Sequence, residues 1–558
     1  MRVKNIASEL EVYAVSGTNT VVISLDMKHK PADLLGFAFE RVETVSKKRI
    51  WLEGQKFFNS IVKIDKKDLA QVKGQKYPTY IHPVQSFLWK DFTVTPGLEY
   101  TYIITALKGA STNPDRSLQA QITIKAEMNI AGVHGVYFNR GVSGSQFYSE
   151  QFGFDKPFDA DESVVNQKAV DWLSRGLYEG MVSFLSQAQP GQKIRGACYE
   201  FHYPAILQLL KRLQTGGVDV NIVYDAKNYG DENKAALAAT HSQSLVTTVR
   251  DNEVTQAHNK FFILIDHNDK ALKVWTGSTN ISAKGIFGHC DTGHIISDPP
   301  TAEKYYAYWK LVDQNLGRDA YRAAVMKLKD CPDIKAADIQ PGISVFFSPR
   351  ANNNMLDQYA ALIDEANQMV CCIYPFNVDK RFQEVFEKDK PYIRYILLDK
   401  KAKFNTFQTD DKDVEVTAGA YIHSPVDNWV AETSAGKLIK SGVDFLHNKI
   451  ILIDPLGQTP IVISGSANYS TNSTSLNDEN TLVIKGDQTV ADKYFTEYVR
   501  LFDHFSFREW LNSNVKNFNP FLAEDGSWVN GYFDSPDALN VKRKLIFKNM
   551  TGATIITG

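Results

Sequence analysis

The stretch HNKFFILIDHNDKALKVWTGSTNISAKGIFGHCD at residues 258–291 recurs in its polar positions as HNKIILIDPLGQTPIVISGSANYSTNSTSLNDE at residues 447–479. Each copy opens with His-x-Lys, continues as an apolar run that ends in Asp, and then reaches Gly-Ser-x-Asn and an acid. From Asp to Gly is 277 − 266 = 11 positions in the first copy and 465 − 454 = 11 in the second. A polar pattern repeated at fixed spacing indicates an internal duplication. Two such half-sites can face each other and form one active site.

The duplication extends beyond the motifs. Strand-like segments at 135–141, 193–201 and 218–225 correspond to 344–350, 369–376 and 393–399, with helical segments between them. Strands that alternate with helices predict an α/β fold with mostly parallel or mixed sheets flanked by helices. We therefore predict two homologous halves, at about 135–335 and 336–530, followed by a C-terminal extension at 531–558.

Residues 1–130 have a different pattern. They are rich in β-branched and aromatic residues separated by Gly, Pro, Asn and Asp, which predicts an all-β sandwich. The segment PVQSFLWKDFTVTPGLEYTYIITAL resembles a fibronectin type III domain, with Trp89, Leu98, Tyr100 and Tyr102 as candidate core residues. Such a domain could bind a protein partner, form a dimer contact or present substrate.

Composition restricts the class of protein. The 558 residues are 43% hydrophobic and 23% charged, with a net charge of −2, as in soluble globular proteins. Any phosphate-binding surface must therefore be local. Glu9 and Glu11 interrupt any signal peptide and no apolar stretch is long enough for a membrane span, so we expect a cytoplasmic protein. The five cysteines show neither a disulfide framework nor a zinc-binding spacing.

The halves differ in two places. Asp225 to His258 is 33 positions and Asp399 to His447 is 48, so the second half carries about 15 extra residues within 400–442. That polar insertion could be a lid over the site or a solvated surface loop. The first motif has one extra residue between Lys260 and Asp266, which a single β-bulge would absorb.

The residue types in the motif suit an anionic substrate. Side chains two apart on a strand share a face, so each His and Lys of a pair point the same way. Imidazole can act as nucleophile or proton donor, and ammonium neutralises phosphate oxygens. Amide and hydroxyl donors accompany them. No metal-ligand spacing is present, so we expect neither a metal nor a cofactor. The candidate residues are His258, Lys260, Asn280 and Ser278 in the first copy and His447, Lys449, Asn468 and Ser466 in the second.

These motifs resemble the signature of the phospholipase D superfamily, His-x-Lys-x4-Asp followed by Gly-Ser-x-Asn. The second copy fits fully, with Asp454 in place, whereas Asp266 of the first copy stands one residue late. The resemblance covers about 135–530, and the whole chain also resembles long bacterial proteins that carry paired motifs of this kind.

The resemblance implies a mechanism with a phosphohistidine intermediate. One imidazole attacks a phosphodiester, while the other, protonated, donates to the leaving oxygen and later activates water. The superfamily pattern points to His258 as nucleophile and His447 as general acid and base. The motif Lys and Asn residues would hold the non-bridging oxygens. Asp291 and Glu479 would each hydrogen-bond the far nitrogen of a histidine, and Asp266 and Asp454 would support the structure.

The motifs do not decide the substrate, because the superfamily includes phospholipases, phospholipid synthases, endonucleases and DNA-end-processing enzymes. We expect a nuclease acting on DNA or RNA, with phospholipid headgroup hydrolysis as the alternative and a binding or scaffold protein as the third possibility. Glu200 follows a predicted strand and is interpreted as a surface residue, with substrate contact as the alternative. Trp275 and the aromatic segment 301–312 are expected to pack in the core rather than stack on bases.

Overall fold

The computed structural model describes residues 1–72, 75–129, 132–141, 145–153, 155–159, 162–252, 256–328, 333–399, 410–419, 446–513 and 519–556. Most of the insertion predicted within 400–442 lies outside these residues, as does Cys331. The other four cysteines are buried and form no disulfide with one another. No helix of the described residues is long and apolar enough to cross a membrane.

The N-terminal region is a sandwich of two antiparallel sheets. One sheet contains β1 (Arg2–Asn5), β2 (Leu10–Ser16), β3 (Val21–Met27) and β8 (Leu88–Asp91). The other contains β4 (Leu34–Glu43), β5 (Arg49–Trp51), β9 (Glu99–Ala110), β10 (Asn113–Asp115) and β11 (Gln119–Lys125). A small pair, β6 (Glu53–Gly54) and β7 (Tyr77–Pro78), flanks α1 (Asn59–Val62) and a 3-10 helix, Lys66–Val72. Of the predicted core residues, Tyr100 and Tyr102 are buried, and Trp89 and Leu98 pack against the same core half-buried.

The first half follows. Its elements are β12 (His134–Phe138), α2 (Ser145–Phe152), α3 (Gln167–Ser174), α4 (Leu177–Leu185), β13 (Lys193–Cys198), α5 (Pro204–Thr215), β14 (Asp219–Asp225), α6 (Gly230–Ala239), β15 (Val246–Arg250), β16 (Lys260–Ile265), β17 (Ala271–Gly277), β18 (Thr292–Ile296), α7 (Pro299–Asp313) and α8 (Arg318–Met326). A 3-10 turn spans Gln243–Leu245, and a π-helical turn spans Lys284–Gly288.

The second half repeats this arrangement. Its elements are a 3-10 turn (Ala336–Asp338), β19 (Gly342–Ser348), α9 (Asn354–Asp364), β20 (Met369–Tyr374), α10 (Lys380–Phe386), β21 (Ile393–Leu398), β22 (Val414–Ala418), β23 (Ile450–Ile453), β24 (Ile461–Gly465), α11 (Thr471–Ser475), β25 (Glu479–Lys485) and α12 (Gln488–Ser513).

The two large sheets have the same strand order. It is β12-β18-β17-β16-β13-β14-β15 in the first half and β19-β25-β24-β23-β20-β21-β22 in the second. In each of these two sheets, three adjacent strands pair in parallel and the other pairs are antiparallel. The parallel strands are β13, β14 and β15 in the first half and β20, β21 and β22 in the second. The sheets are therefore mixed, which confirms the second of the two sheet arrangements expected from the sequence. The motif strands return antiparallel, because tight turns join β16 to β17 and β23 to β24.

The structure has a register shift within the interval where a bulge was expected, but only on the β17 side of the first motif strand. Strand β16 stays in regular register with β13 from Lys193 opposite Ile265 to Cys198 opposite Lys260. The register shifts instead between β16 and β17, where Leu264 pairs with Lys273 but Ile265 pairs with Ala271. The extra residue of the first copy is absorbed by a longer β16, and the turn after it is shorter.

The halves meet through buried polar and aromatic contacts. Arg250 donates to both carboxylate oxygens of Asp478 at 2.9 and 3.2 Å, and neither side chain is exposed. Tyr308 of α7 stacks on Phe347 of β19 with ring centroids 4.2 Å apart. The aromatic side chains of α7 and Trp275 pack in the core, as expected from the sequence.

Helix α12 connects the three parts of the molecule. Arg2 of the sandwich donates to Asp492 at 2.8 Å, and Arg175 of the first half donates to Glu497 at 2.8 Å. After α12, the chain forms a 3-10 helix (Gly526–Tyr532), α13 (Leu539–Lys548) and β26 (Thr554–Ile556). Strand β26 adds in parallel to β1, so the C-terminal segment is built into the sandwich.

Candidate active site

The two motif histidines face each other where the halves meet. Their ring centroids are 6.5 Å apart with the planes at 78°, and the residues are only 4% and 6% exposed. His258 lies two positions before the first residue of β16 and His447 three positions before that of β23, and both strands are entirely buried. Because these apolar strands are anchored in their sheets, both imidazoles are held in place where the halves meet.

Each histidine is oriented by an acid of the opposite half. His258 Nδ1 lies 2.9 Å from Glu479 Oε2, and His447 Nδ1 lies 2.9 Å from Asp291 Oδ1. A carboxylate at Nδ1 favours the tautomer that carries a proton there, which leaves Nε2 for other partners. The acids predicted from the sequence therefore occupy the expected position, but they cross between the halves.

The motif serines support these acids. Ser278 Oγ donates to Asp291 Oδ1 at 2.5 Å, and a hydrogen bond from Ser466 helps hold down the pKa of Glu479. Glu479 also accepts from Ser473 Oγ at 2.8 Å and from Asn477 Nδ2 at 3.4 Å. Ser473 and Asn477 were not predicted as site residues. In the sequence, only their position a few residues before Glu479 could have indicated that they contact this acid.

Both motif lysines are buried beside the histidines. Lys260 Nζ donates to the His258 carbonyl at 2.7 Å, and Lys449 Nζ donates to the His447 carbonyl at 2.6 Å. Burial lowers the pKa of Lys260 to about 8 and that of Lys449 to about 7, although Glu479 and Asp291 oppose the effect. The site thus holds cationic groups that are poorly solvated and available to an anion.

Burial also shifts the other ionisable groups. It raises the pKa of Asp291 and that of Glu479 to about 7, against the opposing pull of nearby cationic and hydrogen-bonding groups. Burial, reinforced by the two lysines, holds the pKa values of both His258 and His447 well below their ordinary value. The lowered pKa values favour the neutral form of both imidazoles in the free site, whereas the mechanism implied by the resemblance requires one of them to be charged.

The motif asparagines differ in their surroundings. Asn280 is 2% exposed and donates through Nδ2 to Glu200 Oε1 at 2.7 Å. Asn468 is half-buried, and its backbone N–H donates to Ser473 Oγ at 2.9 Å. Glu200 is only 4% exposed, so the surface position expected for it is wrong. It is a buried acceptor that orients one of the two amide hydrogens of Asn280.

The motif aspartates lie away from the histidines and organise turns. Asp454 accepts the backbone N–H groups of Asn367, Gln368 and Met369, at 2.7 to 3.2 Å, which ties the end of β23 to the start of β20. Asp266 accepts instead from the backbone of its own turn, at Asn268 and Lys270. The late position of Asp266 in the sequence thus coincides with a different set of contacts.

His289 is a third imidazole that the sequence analysis missed. Its ring centroid is 5.3 Å from that of His447, and His289, Asp291 and His447 offer donor atoms within 4.8 Å of one another. A cation bound by all three would have to break the hydrogen bond between Asp291 and His447. Because the nearby lysines would also repel it, we assign no metal to this cluster.

Two stretches of the chain, 181–311 and 359–503, match a family model described as "Cardiolipin synthase, PLD-like domain". Each stretch encloses one complete copy of the motif. The chain belongs to the phospholipase D superfamily. The phospholipase D fold is thus present twice in this chain, preceded by an all-β sandwich.

Several solved structures match parts of this chain at low sequence identity. Phosphatidylserine synthase from Haemophilus influenzae is 13% identical, with a TM-score of 0.41, over 62% of this chain and 91% of that chain. Polyphosphate kinase from Porphyromonas gingivalis is 12% identical, with a TM-score of 0.40, over 60% of this chain and 48% of that chain, about half its length. The phospholipase D family member Nuc from Salmonella typhimurium is 15% identical, with a TM-score of 0.21, over 30% of this chain and 96% of that chain. No curated protein sequence matches the chain.

Proposed function

We propose that this phospholipase D superfamily protein is a metal-independent nuclease that cleaves phosphodiesters through a phosphohistidine intermediate. Two facing imidazoles, each with Nδ1 held by a carboxylate, support the covalent mechanism. Lys260 and Lys449 supply the positive charge that stabilises the developing phosphoryl charge.

In the first step, His258 Nε2 attacks phosphorus, and a P–N bond forms as the P–O bond to the leaving group breaks. The leaving oxygen takes the proton from His447 Nε2. In the second step, neutral His447 removes a proton from water, which attacks phosphorus and releases His258. Because burial lowers the pKa of both imidazoles in the free site, the negative charge of the bound substrate is what favours protonation of His447.

The observation that favours nucleic acid is a series of aromatic side chains that extends outward from His258. Tyr199 packs edge-on against His258 with ring centroids 4.7 Å apart, and Tyr229 follows at 5.1 Å from Tyr199. His202 stacks on Tyr229 at 6.2 Å, and both of these residues are half-buried. Aromatic faces beside a phosphodiester site are suited to stacking on nucleobases.

The test measures turnover of labelled single-stranded DNA, double-stranded DNA and RNA in excess EDTA. Phosphatidylcholine vesicles and phosphatidylglycerol vesicles are assayed in parallel, since the matching family model is described for cardiolipin synthase. We expect cleavage of nucleic acid that is lost in His258→Ala and His447→Ala but retained in His267→Ala, a change at an exposed histidine in the turn after β16.

Intermediate trapping adds an independent measurement. With a 32P-labelled ester whose leaving group needs no protonation, His447→Ala should accumulate acid-labile phosphoprotein, because only the base for the second step is then missing, and His258→Ala should form none. Headgroup release from vesicles with nucleic acid intact would refute the nuclease assignment in favour of a phospholipase. Loss of turnover in EDTA would refute the metal-independent mechanism.

A further inference from the structure

The two sides of the site differ at one pair of equivalent positions. In the first half, Cys198 lies opposite Lys260 in the strand ladder, and Glu200 follows two residues later. In the second half, Ile373 lies opposite Ile450, which places the next residue, Tyr374, opposite Lys449. Phe376 follows Tyr374 by two residues and is thus the counterpart of Glu200.

The first-half position is closed by polar contacts. Glu200 is buried and accepts from Asn280 Nδ2 at 2.7 Å. On the side of His258, the Glu200 carboxylate is therefore already hydrogen-bonded within the protein. No comparable acid stands at the second-half position.

The second-half position is open and aromatic. Phe376 is 37% exposed, and its ring centroid lies 5.9 Å from Lys449 Nζ, an ammonium group that is itself buried. The neighbouring motif residue Asn468 is half-buried, whereas Asn280 is 2% exposed. An exposed ring therefore borders the catalytic cations on the side of His447.

The direction of the reaction connects this ring to one part of the substrate. An in-line displacement by His258 expels the leaving oxygen on the opposite side of phosphorus, toward His447. We propose that Phe376 is a specificity-determining residue on which the base of the leaving nucleotide stacks. This inference rests on the proposed nuclease function and on His258 as the nucleophile. It predicts that the site contacts the base on the leaving side of the scissile phosphate and not the base on the retained side.

The test uses dinucleoside monophosphates in which one nucleoside or the other is replaced by an abasic sugar. Product analysis shows which fragment retains the phosphate and so identifies the leaving nucleoside. The variants are Phe376→Ala, Phe376→Tyr and, as a matched control, Phe507→Ala, at a residue of α12 that is 40% exposed. The melting temperature of each variant is measured to verify folding.

Removing the leaving-side base should lower kcat/KM of the wild type by roughly 5- to 150-fold, the range for one stacked base. Phe376→Ala should lower kcat/KM for the complete substrate by a similar factor. Removing the leaving-side base should then have no further effect on kcat/KM of this variant. Phe376→Tyr and Phe507→Ala should behave as the wild type, and loss of the retained-side base should have little effect.

Two different failures are distinguishable. If the wild type cleaves these substrates and Phe376→Ala still discriminates against the leaving-side abasic sugar, the stacking role is refuted while the nuclease function stands. If the effect of Phe376→Ala on kcat/KM depended on the retained-side base instead, the proposed stacking on the leaving-side base would be refuted. If the wild type cleaves no nucleic acid at all, both the nuclease function and this inference are overturned.

Discussion

Replacing Lys449 by Met should abolish turnover and yet stabilise the protein. Lys449 is 1% exposed, and burial lowers its pKa from 10.5 to about 7. At about 1.4 kcal/mol per tenfold change, the charged ammonium costs the folded protein about 4–5 kcal/mol relative to the unfolded chain. Methionine has a similar shape and no charge to desolvate, so the variant avoids this cost.

Part of the gain is offset. Lys449 Nζ donates to the buried His447 carbonyl at 2.6 Å, and leaving that acceptor unpaired costs about 1–3 kcal/mol. We therefore expect a net stabilisation of about 2 kcal/mol at pH 7. At about 2.1 cal/mol/K per residue of unfolding entropy, this corresponds to about 2 °C in Tm if the chain unfolds as one unit.

The pH dependence gives the sharper assay. Because the folded pKa of Lys449 lies below the unfolded one, the wild-type folded state binds fewer protons between about pH 7 and 10.5. Wild-type stability contributed by this group therefore rises with pH through that window, and the advantage of Lys449→Met shrinks. Differential scanning fluorimetry at pH 7 and pH 10 would measure the change.

Two further variants serve as internal controls. Lys260→Met should give a smaller gain, because the pKa of Lys260 is lowered only to about 8. Lys380→Met, at a side chain that is 85% exposed, should change neither stability nor turnover. A Lys449→Met protein that melts below the wild type at pH 7, or whose advantage is the same at pH 10, would refute the reasoning.

Three other predictions follow from the contacts between the halves and from the charges of the site. On an ester whose leaving group needs no protonation, Glu479→Gln should slow formation of the phosphohistidine on His258, whereas Asp291→Asn should slow its hydrolysis and let phosphoenzyme accumulate. Each effect should be about 100- to 10,000-fold, and rapid-quench trapping showing the opposite assignment would contradict the crossed arrangement. Arg250→Met should lower the free energy of unfolding by about 3–5 kcal/mol, because it leaves Asp478 buried without its ion-pair partner. A variant whose urea midpoint equals that of the wild type would count against this. The double variant Arg250→Met with Asp478→Leu should recover part of the lost stability. Dialysis against EDTA should leave turnover unchanged, as measured before and after dialysis, since ammonium groups carry the positive charge of the site.

Local patterns in the sequence determined the two α/β halves, the sandwich before them and the identity of the motif residues. Apolar runs such as residues 261–265 and 450–453 can only be buried strands when turns and polar residues bound them. The His-x-Lys spacing likewise places both side chains on one face of a strand, whatever the rest of the fold does. Such information lies within a few residues and can be read directly.

Only the tertiary structure decided how the halves combine. Glu479 is 221 positions from His258, and Asp291 is 156 positions from His447, so no spacing could show that the acids cross. The mixed sheets, the burial of Glu200 and the place of Phe376 depend on the same long-range packing. The lowered pKa values of the lysines do so as well, because desolvation is a property of everything that surrounds a group and not of its neighbours in the chain.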